Sequence, residues 1–296
     1  MIFLAGSIIL TSYLTLAFKV CERFRIPVFQ AIIFNYITCV ITGTIVNGAF
    51  PLNKTVIQEP WFPWAGVMGI LFVSIFNVIA VTTQRIGVAV ASVANKLSLI
   101  IPVMLSVYLY HETVAGWKLT GVVLALLAVV LTCYTHPAKE GNAVAAKIRL
   151  QYLLPLILFI GSGLLDALIN HVQQKYVNDS NRNAYLITGF LSASVIGSVI
   201  LAAQYLRGKQ VFAWRNVAAG VGIGIPNYFS IWCLIRYLKS SPWPSSASIP
   251  VNNMGIVLFS TLVAAWLFRE RLAWWNWLGI VFSLLSIYLI AFGDTL

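Results

Sequence analysis

The chain has 296 residues, of which 60% are hydrophobic and only 9% charged, and its mean hydropathy is +0.88. A soluble domain carries about 25% charged residues, so this chain lacks the polar material to clothe a water-soluble body, and lipid must be the solvent for most of its surface. The net charge of +11 comes from 19 Lys+Arg against 8 Asp+Glu, but these charges sit singly between apolar runs; they form no stripe for nucleic acid and fit residues that orient membrane spans.

A transmembrane helix needs about 20 apolar residues, and ten segments qualify. Met1–Phe18 has no basic residue ahead of its apolar stretch and no small-residue cleavage pattern after it, so a retained first helix is expected rather than a signal peptide. Pro27–Asn47 and Phe62–Thr83 follow, carrying Asn35 and Asn77. Only Gln84–Gly87 separates the third segment from Val88–Tyr110, which forces antiparallel neighbours; this fourth segment holds Asn95 and Lys96. Gly116–Tyr134 comes after the turn with Glu112. Tyr152–Lys175 holds Asp166 and Asn170, and Asn183–Leu206 follows it. Trp214–Tyr237 contains Asn227 and Tyr228, Ser245–Phe268 contains Asn252 and Asn253, and Trp274–Phe292 comes after Glu270. The expected fold is therefore all-α and integral to the membrane. The connectors are too short to host a domain, so function must lie within the helices. Cys21, Cys39, Cys133 and Cys233 are far apart, with no C-x-x-C pair, and imply neither a disulfide framework nor a metal site.

The two halves resemble each other. At an offset of 158, Val93 meets Val251, Asn95 meets Asn253, Glu112 meets Glu270, Trp117 meets Trp275 and Gly121 meets Gly279. Matches at one constant offset, spread over two adjacent helices in each half, argue for duplication: residues 1–135, a linker over 136–151, and residues 152–296. Each half has five helices, an odd number, so the second half must insert upside down, the inverted-repeat plan of alternating-access transporters.

Pro102, His111-Glu112 and Gly121, echoed by Arg269-Glu270-Arg271 and Gly279, resemble the drug/metabolite transporter superfamily in its ten-helix EamA-like branch. The second copy departs from the pattern in having Ser260 where Pro102 aligns. The resemblance implies a carrier in the cytoplasmic membrane for a small metabolite, and it does not discriminate among amino acids, sugars, nucleotides and drugs. It also implies cytoplasmic termini. The charge count says otherwise: odd-numbered connectors carry twelve Lys and Arg and even-numbered ones six, which puts the odd connectors in the cytoplasm and the termini outside.

Polar side chains inside a bilayer are costly, so each needs a reason. Asp166 is the carboxylate placed deepest in a predicted span, and Ser162 and Asn170 lie one turn to either side, on the same expected face. At that depth it is a proton-exchanging or substrate-binding group, or a structural carboxylate bonded to a neighbouring helix. Lys96 binds an anionic solute group, pairs with Asp166, or snorkels to the interface. Asn35, Asn77, Asn95, Asn170, Asn227, Asn252 and Asn253 either bridge helices or line a cavity; Asn95 and Asn253, being repeat-equivalent, are the cavity candidates, and Tyr228 beside Asn227 joins them. Pro226 and Pro250 are expected to break helices near the site. Glu112 and Glu270 sit at turns, where they cap helix N-termini or gate.

Enzyme signatures are missing. His111-Glu112 has Ala115 where a zincin needs its second His, and no nucleophile elbow or phosphate-binding loop is present. No cofactor is expected. The expected partners are a small solute, the bilayer and protons, with the chain a monomer or weak homodimer. A channel or lipid flippase is the alternative reading.

Overall fold

The computed structural model describes residues 2–110, 116–133, 142–178, 180–242, 245–270 and 272–293, and all their regular structure is helical. The helices are α1 (Ile2–Arg23), α2 (Val28–Asn47), α3 (Lys54–Ile57), α4 (Phe62–Arg85), α5 (Val88–Leu97), α6 (Ile100–Tyr110), α7 (Gly116–Cys133), α8 (Asn142–Tyr176), α9 (Arg182–Leu206), α10 (Trp214–Ser240), α11 (Ser245–Leu267) and α12 (Trp274–Phe292). Nine spans among the described residues are long and apolar enough to cross a bilayer, and α7 adds the shorter apolar stretch Leu119–Thr132. In lipid the backbone must satisfy its own polar groups, which is why such sequences fold into helices. The chain is a multi-pass membrane protein.

Three elements differ from the sequence expectation. The sixth predicted helix starts at Asn142, inside the expected linker, and runs unbroken to Tyr176 through Pro155. The loop after α2 contains the one-turn α3, whose first turn is capped by Asn53 Oδ1 accepting from Val56 N–H at 2.9 Å. The fourth predicted helix is interrupted at Ser98–Leu99, so that α5 and α6 share the span Val88–Leu105. Pro102 explains this break: it has no N–H for the Ser98 carbonyl, and its ring crowds that carbonyl. The Ser98 carbonyl accepts instead from Ile101 N–H at 2.9 Å, and the Ser98 hydroxyl donates to the Asn95 carbonyl. Pro226 and Pro250, expected to be the breakers, lie inside continuous helices.

The structure divides into two compact units. The first comprises Met1–Lys19, Val78–Leu164 and Ser230–Leu296; the second comprises Val20–Asn77 and Leu165–Phe229. Both draw on both sides of the 136–151 stretch.

In the first unit α7 packs on α12 through glycines. A Cβ on Gly121 would meet Ser286, Leu289 and Ile290, and one on Gly279 would meet Ala128 and Thr132. Adding 158 to 121, 128 and 132 gives 279, 286 and 290, so the Ser286 and Ile290 contacts have their mirror at the repeat offset. The Ser286 hydroxyl donates to the Gly121 carbonyl at 2.7 Å, and Asn276 Nδ2 donates to the Thr132 carbonyl at 2.9 Å. Val93, Leu97, Ile100, Ala125, Ala128, Phe159, Val257, Ile280 and Ile287 form the core beneath.

The second unit repeats the arrangement at a slightly different offset. Gly43 on α2 faces Ile187 on α9, and Gly197 on α9 faces Ile33 on α2; an offset of 154 converts one contact into the other. Tyr36 and Phe190, also 154 apart, meet with ring centroids 6.1 Å apart. Gly69 on α4 takes Ser192 and Ala193 of α9, while Gly224 on α10 takes Thr38 and the Asn35 carbonyl of α2. Small residues at such contacts let helix backbones approach closely, which is the main source of packing energy between helices in lipid.

Candidate functional site

The polar residues singled out in the sequence fall into two groups, one in the second unit and one where α5 and α11 cross in the first. Asn227 Nδ2 donates to Asn35 Oδ1 at 3.0 Å, with both residues buried. The Cys39 thiol donates to the Gly224 carbonyl at 3.4 Å beside them. Gly224 draws α10 so close to α2 that the two amides meet. The Tyr228 ring, also buried, lies against Gly43 of α2. Asn35, Asn227 and Tyr228 thus bring α2 and α10 together. Asn77 Nδ2 bonds back to the Val73 carbonyl of its own helix at 2.7 Å.

The trio on α8 keeps one helical row, each four-residue step turning the side chain by about 40°, but burial differs along it. Ser162 is buried, whereas Asp166 and Asn170 are exposed, and Asn170 Oδ1 accepts from Gln174 at 3.1 Å. Asp166 remains near the middle of the span Leu153–Tyr176. It belongs to the second unit and Lys96 to the first.

The other group lies where α5, α6 and α11 run antiparallel in the first unit. Val88 and Ala264 share a small apolar cluster with Leu16, and the Ser260 hydroxyl donates to Ser92 Oγ at 2.8 Å, both residues being buried. Continued along α5, this register brings Val257 level with Asn95. Leu97, Ile100 and Val257 lie in one core cluster, with Met254 against it.

The Asn252 side chain is only 3% exposed, and its Oδ1 has no hydrogen-bond partner among the described residues. The half-buried amides of Asn95 and Asn253 likewise make no side-chain hydrogen bond there. Two neighbouring helices bring further hydroxyls. Gly163 of α8 receives Ile101, and Gly255 of α11 receives Ile8 of α1; the hydroxyls of the adjoining Ser162 and Ser7 are buried without hydrogen-bond partners among the described residues. A buried polar group left unmatched costs about 1–3 kcal/mol. Lys96 is half-buried in the last turn of α5, where a cation complements the helix dipole.

Glu270 sits at one end of this crossing and caps α5. Its Oε1 accepts from Val88 N–H at 2.9 Å, and its carboxylate covers Gly87, whose φ of +138° is open to glycine alone. Arg269, immediately before it, has a φ of 54°. Glu112 lies outside the described residues. The sequence reading missed the Ser92–Ser260 bond and the break itself; the available signal was Pro102, four residues past Ser98.

No protein-family model matches the chain. An uncharacterized protein of Haemophilus influenzae is 27% identical over 281 residues, spanning 93% of this chain and 92% of that protein. A solved crystal structure superposes with a TM-score of 0.60, at 15% identity, over 98% of this chain and 95% of the other. That likeness is one of fold alone.

Proposed function

We propose that the protein is a secondary transporter of the drug/metabolite transporter superfamily, in the EamA-like branch. It would carry a small polar or zwitterionic solute, such as an amino acid, across the cytoplasmic membrane by alternating access. The observation that carries this reading is Asn252: a buried amide whose Oδ1 has no hydrogen-bond partner among the described residues, on the helix that packs against the interrupted span. A protein that only had to fold would replace it with leucine. A solute that arrives and leaves supplies the missing bonds for part of each cycle, and a broken span is where carriers present backbone and side-chain groups to their cargo. Lys96 suits a carboxylate on that solute, and Asn95 and Asn253 suit its remaining polar atoms.

The mirrored contacts support a ten-span chain of two inverted five-helix repeats. Gly121 against Ser286 and Ile290 mirrors Gly279 against Ala128 and Thr132, as expected of helices related by an approximate two-fold axis. Such symmetry gives a carrier two alternative packings of one sequence plan, open to opposite sides.

The test is a solute panel on the purified chain in proteoliposomes, with and without a pH gradient. Saturable uptake of one solute class that falls at least tenfold in Asn252→Leu is expected. Asp166→Asn should keep exchange of that solute while losing the response to the pH gradient, as a proton-coupling carboxylate requires. Uptake that never saturates would point to a channel, and undiminished uptake in Asn252→Leu would remove the site.

A further inference from the structure

The second unit contains a buried amide that makes every bond it can. Gln30, near the start of α2, donates through Nε2 to Gln210 Oε1 at 2.8 Å and to the Val211 carbonyl at 3.1 Å. Its Oε1 accepts from the Tyr205 hydroxyl at 3.0 Å and from Asn216 Nδ2 at 2.7 Å. Two donors and two acceptor sites are all an amide has, so Gln30 locks the connector between α9 and α10 onto the first turns of α2. The Phe212 ring packs on Phe34 at 6.4 Å and on Trp214 at 5.3 Å, and Arg215 Nη2 reaches the Arg25 carbonyl at 3.5 Å.

The clamp gathers positive charge. Arg23 and Arg25 from one connector, and Arg207, Lys209 and Arg215 from the other, are all exposed at this end of the unit. Glu22 is the one acidic residue in those two stretches of sequence. Like charges drawn together repel, and Arg25 is further held at a φ of 52°, a conformation that costs a non-glycine residue about 1–3 kcal/mol. Tethering by Gln30 keeps the cluster in place although its charges oppose it. Beside the charges stand apolar side chains turned outward: Phe24, Leu206, Val211 and Trp214, the last two 80% and 77% exposed.

We propose that this end of the second unit binds the headgroup of an anionic phospholipid, with the acyl chains lying along Phe24, Val211 and Trp214. Three or more cations around one phosphate make a headgroup site at a helix end. The adjoining apolar surface favours a lipid over a free anion, because a soluble phosphate would leave it bare.

Native mass spectrometry of the full chain in detergent, titrated with phosphatidylglycerol, cardiolipin or phosphatidylcholine, tests this. Anionic lipids should remain bound at least tenfold more strongly than phosphatidylcholine. The triple variant Arg25→Gln, Arg207→Gln, Arg215→Gln should weaken their binding roughly 100-fold, each lost cation contributing about fivefold. Lys54→Gln with Lys175→Gln, at the opposite helix ends, should leave it unchanged. The companion Arg→Lys triple keeps the charges and should bind within about threefold of the parent, which serves if the Gln triple does not fold. Equal binding of phosphatidylcholine, unchanged binding in the Gln triple, loss in the Lys triple, or displacement by equimolar glycerol phosphate would each overturn the proposal.

Discussion

Asparagines of the same chemistry play opposite parts in this chain, and stability should separate them. Asn35 holds Asn227 across two helices, so Asn35→Leu strands a buried partner and should destabilise the protein by about 1–3 kcal/mol. Asn252 Oδ1 has no such partner among the described residues, so Asn252→Leu removes an unmatched group and should raise the thermal midpoint while transport falls. Melting curves of the two variants in the same detergent check this, and a lowered midpoint for Asn252→Leu would mark it as structural. Glu270 can be read the same way. Glu270→Gln retains an oxygen for Val88 N–H and should melt near the parent, whereas Glu270→Ala uncaps α5 and should lose about 1 kcal/mol. The sequence identified all of these residues as polar groups at depth or at turns, but which amide finds another depends on helix rotation and register. That is why the sequence leaves Asn227 open between bridging and lining, and why it does not reveal that Asp166 is exposed where Ser162, one turn away, is buried.

At the level of helices the sequence was more informative, because span length and apolarity decide so much in lipid. Nine of the ten predicted segments became single helices with ends within a few residues, apart from α8, which starts earlier. The exception was Val88–Tyr110, divided by Pro102, while Pro226 and Pro250 are absorbed into α10 and α11. Proline in a membrane helix is tolerated where neighbours satisfy the freed carbonyl, and composition alone does not reveal where they do. Pro102→Ala restores the missing N–H and should close the break. We expect a more stable protein with transport reduced at least tenfold, measured by melting and by flux in parallel; unchanged flux would show that the break is incidental to transport. The glycine contacts give a second test. Gly121→Leu and Gly279→Leu enter mirrored contacts between α7 and α12, so their losses of thermal stability should agree closely, each being about 1–3 kcal/mol. A large effect from one and none from the other would contradict the mirrored packing.

For the molecule as a whole, the charge count and the family resemblance give opposite orientations, and the basic cluster around Arg25 and Arg215 joins two odd-numbered connectors at one end. On the positive-inside rule that end faces the cytoplasm. A cysteine introduced at Lys209 should then be shielded from an impermeant maleimide in intact cells, and one at Lys54 should react; the reverse labelling would uphold the resemblance. The division into units has a consequence for how the protein is made. Neither Met1–Lys19 with Val78–Leu164 nor Val20–Asn77 is complete without segments that follow residue 164. When the ribosome has released only residues 1–135, Gly121 still awaits Ser286 and Gly43 still awaits Ile187. The nascent half must therefore wait in the bilayer with its contact faces open, guarded by lipid or by insertion factors. A gene cut within 136–151 should yield two fragments that are degraded when made singly and rescue each other when made together.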